Sequence, residues 1–228
     1  SVSENGLYSI AGRFSSFITL FTTCFNMAWQ EMSYSREAQK QTNQGEFYTT
    51  ALNSYIKFLC MGLLMLIPAI SVIFPIMINE SYADAKQLVP YYLLATIVSC
   101  ISSFFGNIFT AIKKNNVLFY TTVAGSVVNV VSVHLLLPVV GVQGASIALF
   151  LGFMVNNTIR AYLLKKEIQV SIDLKFIVAW AIVYIGVSYI YLHANAIINV
   201  LTVLVGGLLT LFVFRKELKE ILGTIKNR

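Results

Sequence analysis

Charge is the scarcest property of this chain: only 11% of its 228 residues are Asp, Glu, Lys or Arg, against about a quarter in a soluble domain. With 57% hydrophobic residues and a mean hydropathy of +0.74, the chain belongs to the membrane class. Acidic residues are the scarcer sign, and none lies well inside an apolar stretch; Glu31, Glu46, Glu80 and Asp84 all fall at ends or in loops. A carrier of cationic drugs needs a buried carboxylate to repay desolvation of its cargo, so this absence disfavours that class. There are two histidines, His134 and His193, with no carboxylate at catalytic spacing and no second ligand at metal spacing. That argues against an acyltransferase, a metalloprotease and a bound metal. Cys24, Cys60 and Cys100 lie in apolar stretches without CxxC spacing and read as small core hydrophobes. No nucleotide-binding loop is present, and no cofactor is implied.

What the chain does have is long apolar runs. A bilayer-crossing helix needs about 20 such residues, and seven stretches qualify, near 7–30, 54–78, 88–112, 117–139, 144–164, 174–192 and 196–214. The expected fold is all-α, a polytopic bundle of about seven transmembrane helices. Basic residues orient it. Arg36, Lys40, Lys57, Lys113, Lys114, Arg160, Lys165, Lys166, Lys175, Arg215, Lys216, Lys219, Lys226 and Arg228 cluster at one side, leaving Arg13 and Lys86 at the other. Positive charge marks the cytoplasmic face, so the C-terminus is expected in the cytoplasm and Ser1 outside. The same rule accounts for the net charge of +6 without a nucleic-acid partner. Ser1 in place of Met, with no signal peptide, suggests a chain whose N-terminal part is missing.

The segment from Gly125 to Ala148, GSVVNVVSVHLLLPVVGVQGASIA, forms an apolar helix with one amide, a proline-glycine turn and a second helix opening on small residues. Asn129, Leu136, Pro138, Gly141, Gly144, Ala145 and Ser146 fill a pattern that resembles the bacterial polysaccharide flippases of the multidrug, oligosaccharidyl-lipid and polysaccharide exporter superfamily. GLYSIAGRFSSFI resembles that family's eighth helix. The resemblance implies the C-terminal lobe of a two-lobe transporter: residues 1–165 form the lobe without its first helix, 166–214 an accessory helix pair and 215–228 a basic cytoplasmic tail. It further implies translocation of polyprenyl-pyrophosphate-linked oligosaccharide across the bacterial inner membrane for surface polysaccharide synthesis, by alternating access and without bond making. The partners it implies are the lipid-linked glycan, membrane lipids and the polysaccharide polymerase and ligase machinery. A multidrug antiporter of the same fold is the alternative, and a glycan-modifying membrane enzyme a more distant one.

Three helices carry polar stripes at helical spacing. The first has Ser9, Gly12, Arg13, Ser16, Thr19, Thr23, Asn26 and Gln30; the third Ser99, Ser102, Ser103, Gly106, Asn107 and Thr110; the fourth Thr122, Gly125, Ser126, Asn129 and Ser132. Two readings stand. Small and hydroxyl residues let membrane helices pack closely, whereas Asn26, Asn107 and Asn129 are costly against lipid and favour a shared water-filled cavity. Arg13 is the leading candidate for the cation of that cavity. Arginine at depth costs about 2.5–3.5 kcal/mol, and its fork suits pyrophosphate oxygens; snorkelling to the external interface is the competing reading. For Lys57 and Arg160, nearer the cytoplasmic ends, snorkelling is the favoured reading. Pro68 and Pro75 interrupt the second helix and are candidate hinges, Pro138 is expected to end its helix, and Pro90 to sit in the first turn of the third. The last two helices lack a polar stripe. Their expected place is against lipid, and the tail KELKEILGTIKNR is expected to lie on the inner leaflet.

Overall fold

A computed structural model describes residues 2–38, 44–79 and 82–215. Among these the chain is all-helical: α1 (Val2–Ala38), α2 (Gln44–Met77), α3 (Ala85–Ala111), α4 (Asn115–Val140), α5 (Gln143–Ile168), α6 (Leu174–His193) and α7 (Ala196–Val213). Six of the seven, all but α1, are long and apolar enough to cross a membrane. The seven expected stretches are therefore seven helices, but α1 falls short by composition, because its polar stripe dilutes its hydropathy. Most of the tail, Lys40 and Glu80 lie outside the described residues.

The central element is α3, which packs against α1, α5 and α2, while α4 leans on α5 and the α6–α7 pair on α2. Its core positions Val89, Leu93, Phe104, Ile108 and Phe109 are fully enclosed. The aromatic side chains of Phe25, Trp29, Tyr55 and Phe104 stack where α1, α2 and α3 meet, with Tyr55 and Phe104 centroids 4.7 Å apart. Such offset rings add to the area they bury.

The α4–α5 hairpin is closely packed. A methyl group placed on Gly125 would stand 2.8 Å from the Gly152 carbonyl oxygen, and one on Gly152 2.7 Å from that of Gly125. Bare backbones touch there, the packing that small residues permit in membranes. Gly141 closes α4 with φ of +62°, which costs glycine nothing.

Proline placement differs from the sequence expectation twice. Pro138 lies inside the last turn of α4, which runs on to Val140; it offers no donor to the His134 carbonyl, and the helix closes beyond it through Gly141 N–H to Leu137 O at 3.0 Å. Pro90 lies in the second turn of α3, which starts at Ala85. Pro68 and Pro75 both sit within a continuous α2, the first buried and the second exposed. Proline at 68 removes the donor that would meet the Leu64 carbonyl. Gly206 of α7 comes to that place: a methyl built on it would be 3.7 Å from Leu64 O. α5 continues to Ile168. Cys24 is exposed, contrary to expectation, while Cys60 and Cys100 are buried.

Candidate functional site

The polar stripes divide into three kinds of position. Most hydroxyls turn back onto their own helix: Ser16 donates to Gly12 O, Thr23 to Thr19 O at 2.7 Å, Ser99 to Thr96 O at 2.8 Å, Ser103 to Ser99 O and Thr110 to Gly106 O. A hydroxyl bonded this way needs no cavity. The glycines pack, Gly12 under the Tyr92 hydroxyl and Gly125 against Gly152. That leaves the amides and the cations.

Two of the three amides singled out from sequence meet. Asn107 on α3 accepts from Gln30 Nε2 at 2.7 Å and donates through Nδ2 to Asn26 Oδ1 at 3.2 Å, making a chain of three amides across the α1–α3 contact. All three are half-buried. Each retains donors or acceptors beyond those two bonds, because an amide has four hydrogen-bonding positions. Asn129 does not join them. It sits on α4 beside Gly152, with its amide unbonded among the described residues, lining a separate recess with Gly125, Ser126 and Leu149.

Arg13 projects from an exposed side of α1 along with Ser9, Ser16, Thr19 and Thr23, and no described residue hydrogen-bonds its guanidinium. The buried cation is Arg160, for which the sequence favoured snorkelling. Only 5% of it is exposed. It lies two turns before the end of α5, and its side chain turns between α3 and α4 rather than along the helix toward the interface. Nε donates to Thr121 Oγ1 at 3.0 Å, Nη1 to the Ser102 carbonyl at 2.7 Å and its hydroxyl at 3.0 Å, and Nη2 to Thr122 Oγ1 at 3.1 Å. A guanidinium has five N–H donors, so one on Nη2 remains. No carboxylate faces it among the described residues; every partner is neutral. Gly106 lies beside it, and a methyl built there would stand in ordinary contact with Nη1 at 3.6 Å. Ser102 and Thr122 both belong to the stripes read from sequence, so these hydroxyls position a cation from opposite sides. Threonines beside a serine at matching depth were the available signal for Arg160.

Lys57 is half-buried above the Phe176 ring at 5.8 Å, a cation–π contact. Of the carboxylates, Glu167 pairs with Lys114 at 2.5 Å and Asp173 caps α6 through Phe176 N at 3.1 Å. Neither reaches the polar helices' interior. His193 stacks on Tyr189, and the described residues contain no group of His, Cys, Asp or Glu able to hold a metal. No family model, curated protein or solved structure matches the chain.

Proposed function

We propose that this chain is the C-terminal lobe of a membrane transporter for a lipid-linked anionic saccharide, with polyprenyl-pyrophosphate-linked oligosaccharide as its cargo. The observation that supports this most is Arg160, a buried cation with only neutral partners, its spare N–H beside Thr122 on the exposed side of α4. A charge so placed repels cationic drugs and attracts phosphate oxygens, one of which can accept the remaining Nη2 N–H. Arg13 supplies a second cation on α1. Asn26, Gln30 and Asn107 offer their remaining donors and acceptors to sugar hydroxyls. On this reading the prenyl tail stays in lipid while the polar head crosses between this lobe and a second one, the two rocking about the site in alternating access. The membrane is the bacterial inner membrane, the basic ends are cytoplasmic, and downstream polymerase and ligase take the product. Resemblance of the Gly125–Ala148 hairpin to polysaccharide flippases favours the same reading. No bond is made or broken.

The test is full-length protein reconstituted in vesicles with a fluorescent polyprenyl-pyrophosphate glycan on one leaflet. Protein-dependent appearance of the glycan on the other leaflet is expected, with no movement of a cationic dye. Dye transport without glycan movement would overturn the proposal in favour of the antiporter.

A further inference from the structure

Away from the polar helices, α2, α3, α5 and α6 enclose a crevice of about 490 Å³ walled almost wholly by apolar side chains, among them Ile97, Ile101, Met154, Ile177 and Trp180. Its two large polar-tipped aromatics hide their polar atoms. Trp180 Nε1 donates to Cys60 O at 2.8 Å and Tyr184 OH to Pro90 O at 2.7 Å, and the stacked rings present only their faces. Along α6 the wall runs from Leu174 to Ile185, about 16 Å at 1.5 Å per residue. That is the depth of one leaflet, half of a hydrocarbon core about 30 Å thick.

The crevice starts at the basic end of the bundle. Lys165 and Lys166 occupy the last turn of α5, Lys175 is exposed in the first turn of α6, and Lys57 leans over Phe176. Of the described acids at that end, Glu167 pairs with Lys114 and Asp173 caps α6. Deeper in, the Asn157 Oδ1 atom is buried without a partner, its Nδ2 being committed to Val98 O at 2.9 Å.

We propose that this crevice is a binding site for one anionic membrane phospholipid, with an acyl chain between α5 and α6 and its phosphate at Lys57 and Lys175. The occupant is a lipid of the leaflet at the basic end. The length of the wall matches an acyl chain of one leaflet.

The experiment is native mass spectrometry of the purified full-length protein, delipidated and then offered phosphatidylglycerol or phosphatidylethanolamine with identical acyl chains. Retention of one phosphatidylglycerol, favoured at least fivefold over phosphatidylethanolamine, is expected, because each lysine near a headgroup contributes about fivefold. The double variant Lys57→Gln with Lys175→Gln, which leaves the crevice intact, loses the preference and keeps chain binding. Ala161→Phe with Ala181→Phe fills the crevice and loses both lipids. Equal retention of the two lipids, a preference unchanged in the lysine variant, or displacement of phosphatidylglycerol by polyprenyl phosphate at lower concentration would overturn the proposal. None of these outcomes bears on glycan transport, which is read separately.

Discussion

Replacing Gly152 with alanine tests the hairpin directly. The new methyl group would lie 2.7 Å from Gly125 O and 2.9 Å from Asn129 Cβ. Ordinary C···O approaches in packed helices are about 3.3–3.6 Å, so α4 and α5 must separate by roughly 0.6–0.9 Å. Neither obstacle is the free end of a flexible side chain, and the strain cannot be absorbed by a rotamer change. Overpacking of this kind costs about 1–3 kcal/mol. Gly125→Ala meets the mirror-image contact, 2.8 Å from Gly152 O, and is expected to cost the same. Once either substitution has parted the helices the other meets less resistance, so the double variant should cost less than the sum. Gly62 and Gly186 have nothing within 4 Å of a built Cβ and serve as controls; alanine there should be neutral or stabilising by up to about 1 kcal/mol. Reversible unfolding of the purified full-length protein in mixed micelles, followed by helicity, measures all five. Neutral single variants at 125 and 152, or a strictly additive double, would refute the close crossing.

Other expectations follow from the same geometry. Asn107→Leu removes both interhelical amide bonds, and with such bonds averaging about 0.6 kcal/mol in membranes the stability loss should be near 1 kcal/mol; glycan transport falling far more than abundance would tie the amides to the cargo, and a proportional fall would tie them to packing. Glu167→Gln breaks an ion pair whose partners are 44% and 36% exposed, so unfolding should shift by less than about 1 kcal/mol. Arg13→Ala leaves no hydrogen-bond partner stranded among the described residues, so membrane abundance should stay normal while export falls; a drop in abundance would place Arg13 in folding instead.

Hydropathy made the helices legible because burial in lipid acts on every residue of a span. The Gly141 turn was legible because a left-handed backbone selects glycine. Ends were less so: α1 runs beyond both limits of its apolar stretch because a helix satisfies its own backbone bonds and need not stop where lipid does. Of the site, the meeting of Asn26 with Asn107 could be anticipated as shared polarity, but not the part of Gln30 or the separation of Asn129, since sequence shows faces and not which helix lies opposite. Arg160 was misread for a definite reason. Its distance from the α5 terminus suggested snorkelling, whereas three hydroxyl side chains and a carbonyl on α3 and α4 hold it inside. The apolar crevice depends on Trp180 and Tyr184 turning their donors into neighbouring backbones, a choice of rotamer no residue pattern displays.

Polysaccharide export by cells that depend on the full-length protein, comparing Arg160→Lys with Arg160→Gln at matched membrane abundance, tests the central claim most directly. Lysine keeps the charge that the cargo needs but loses the fork; glutamine keeps hydrogen bonding without charge. The account predicts partial export with lysine and none with glutamine. Equal export by the glutamine variant and the unaltered protein would contradict it and reduce Arg160 to a brace between α3, α4 and α5.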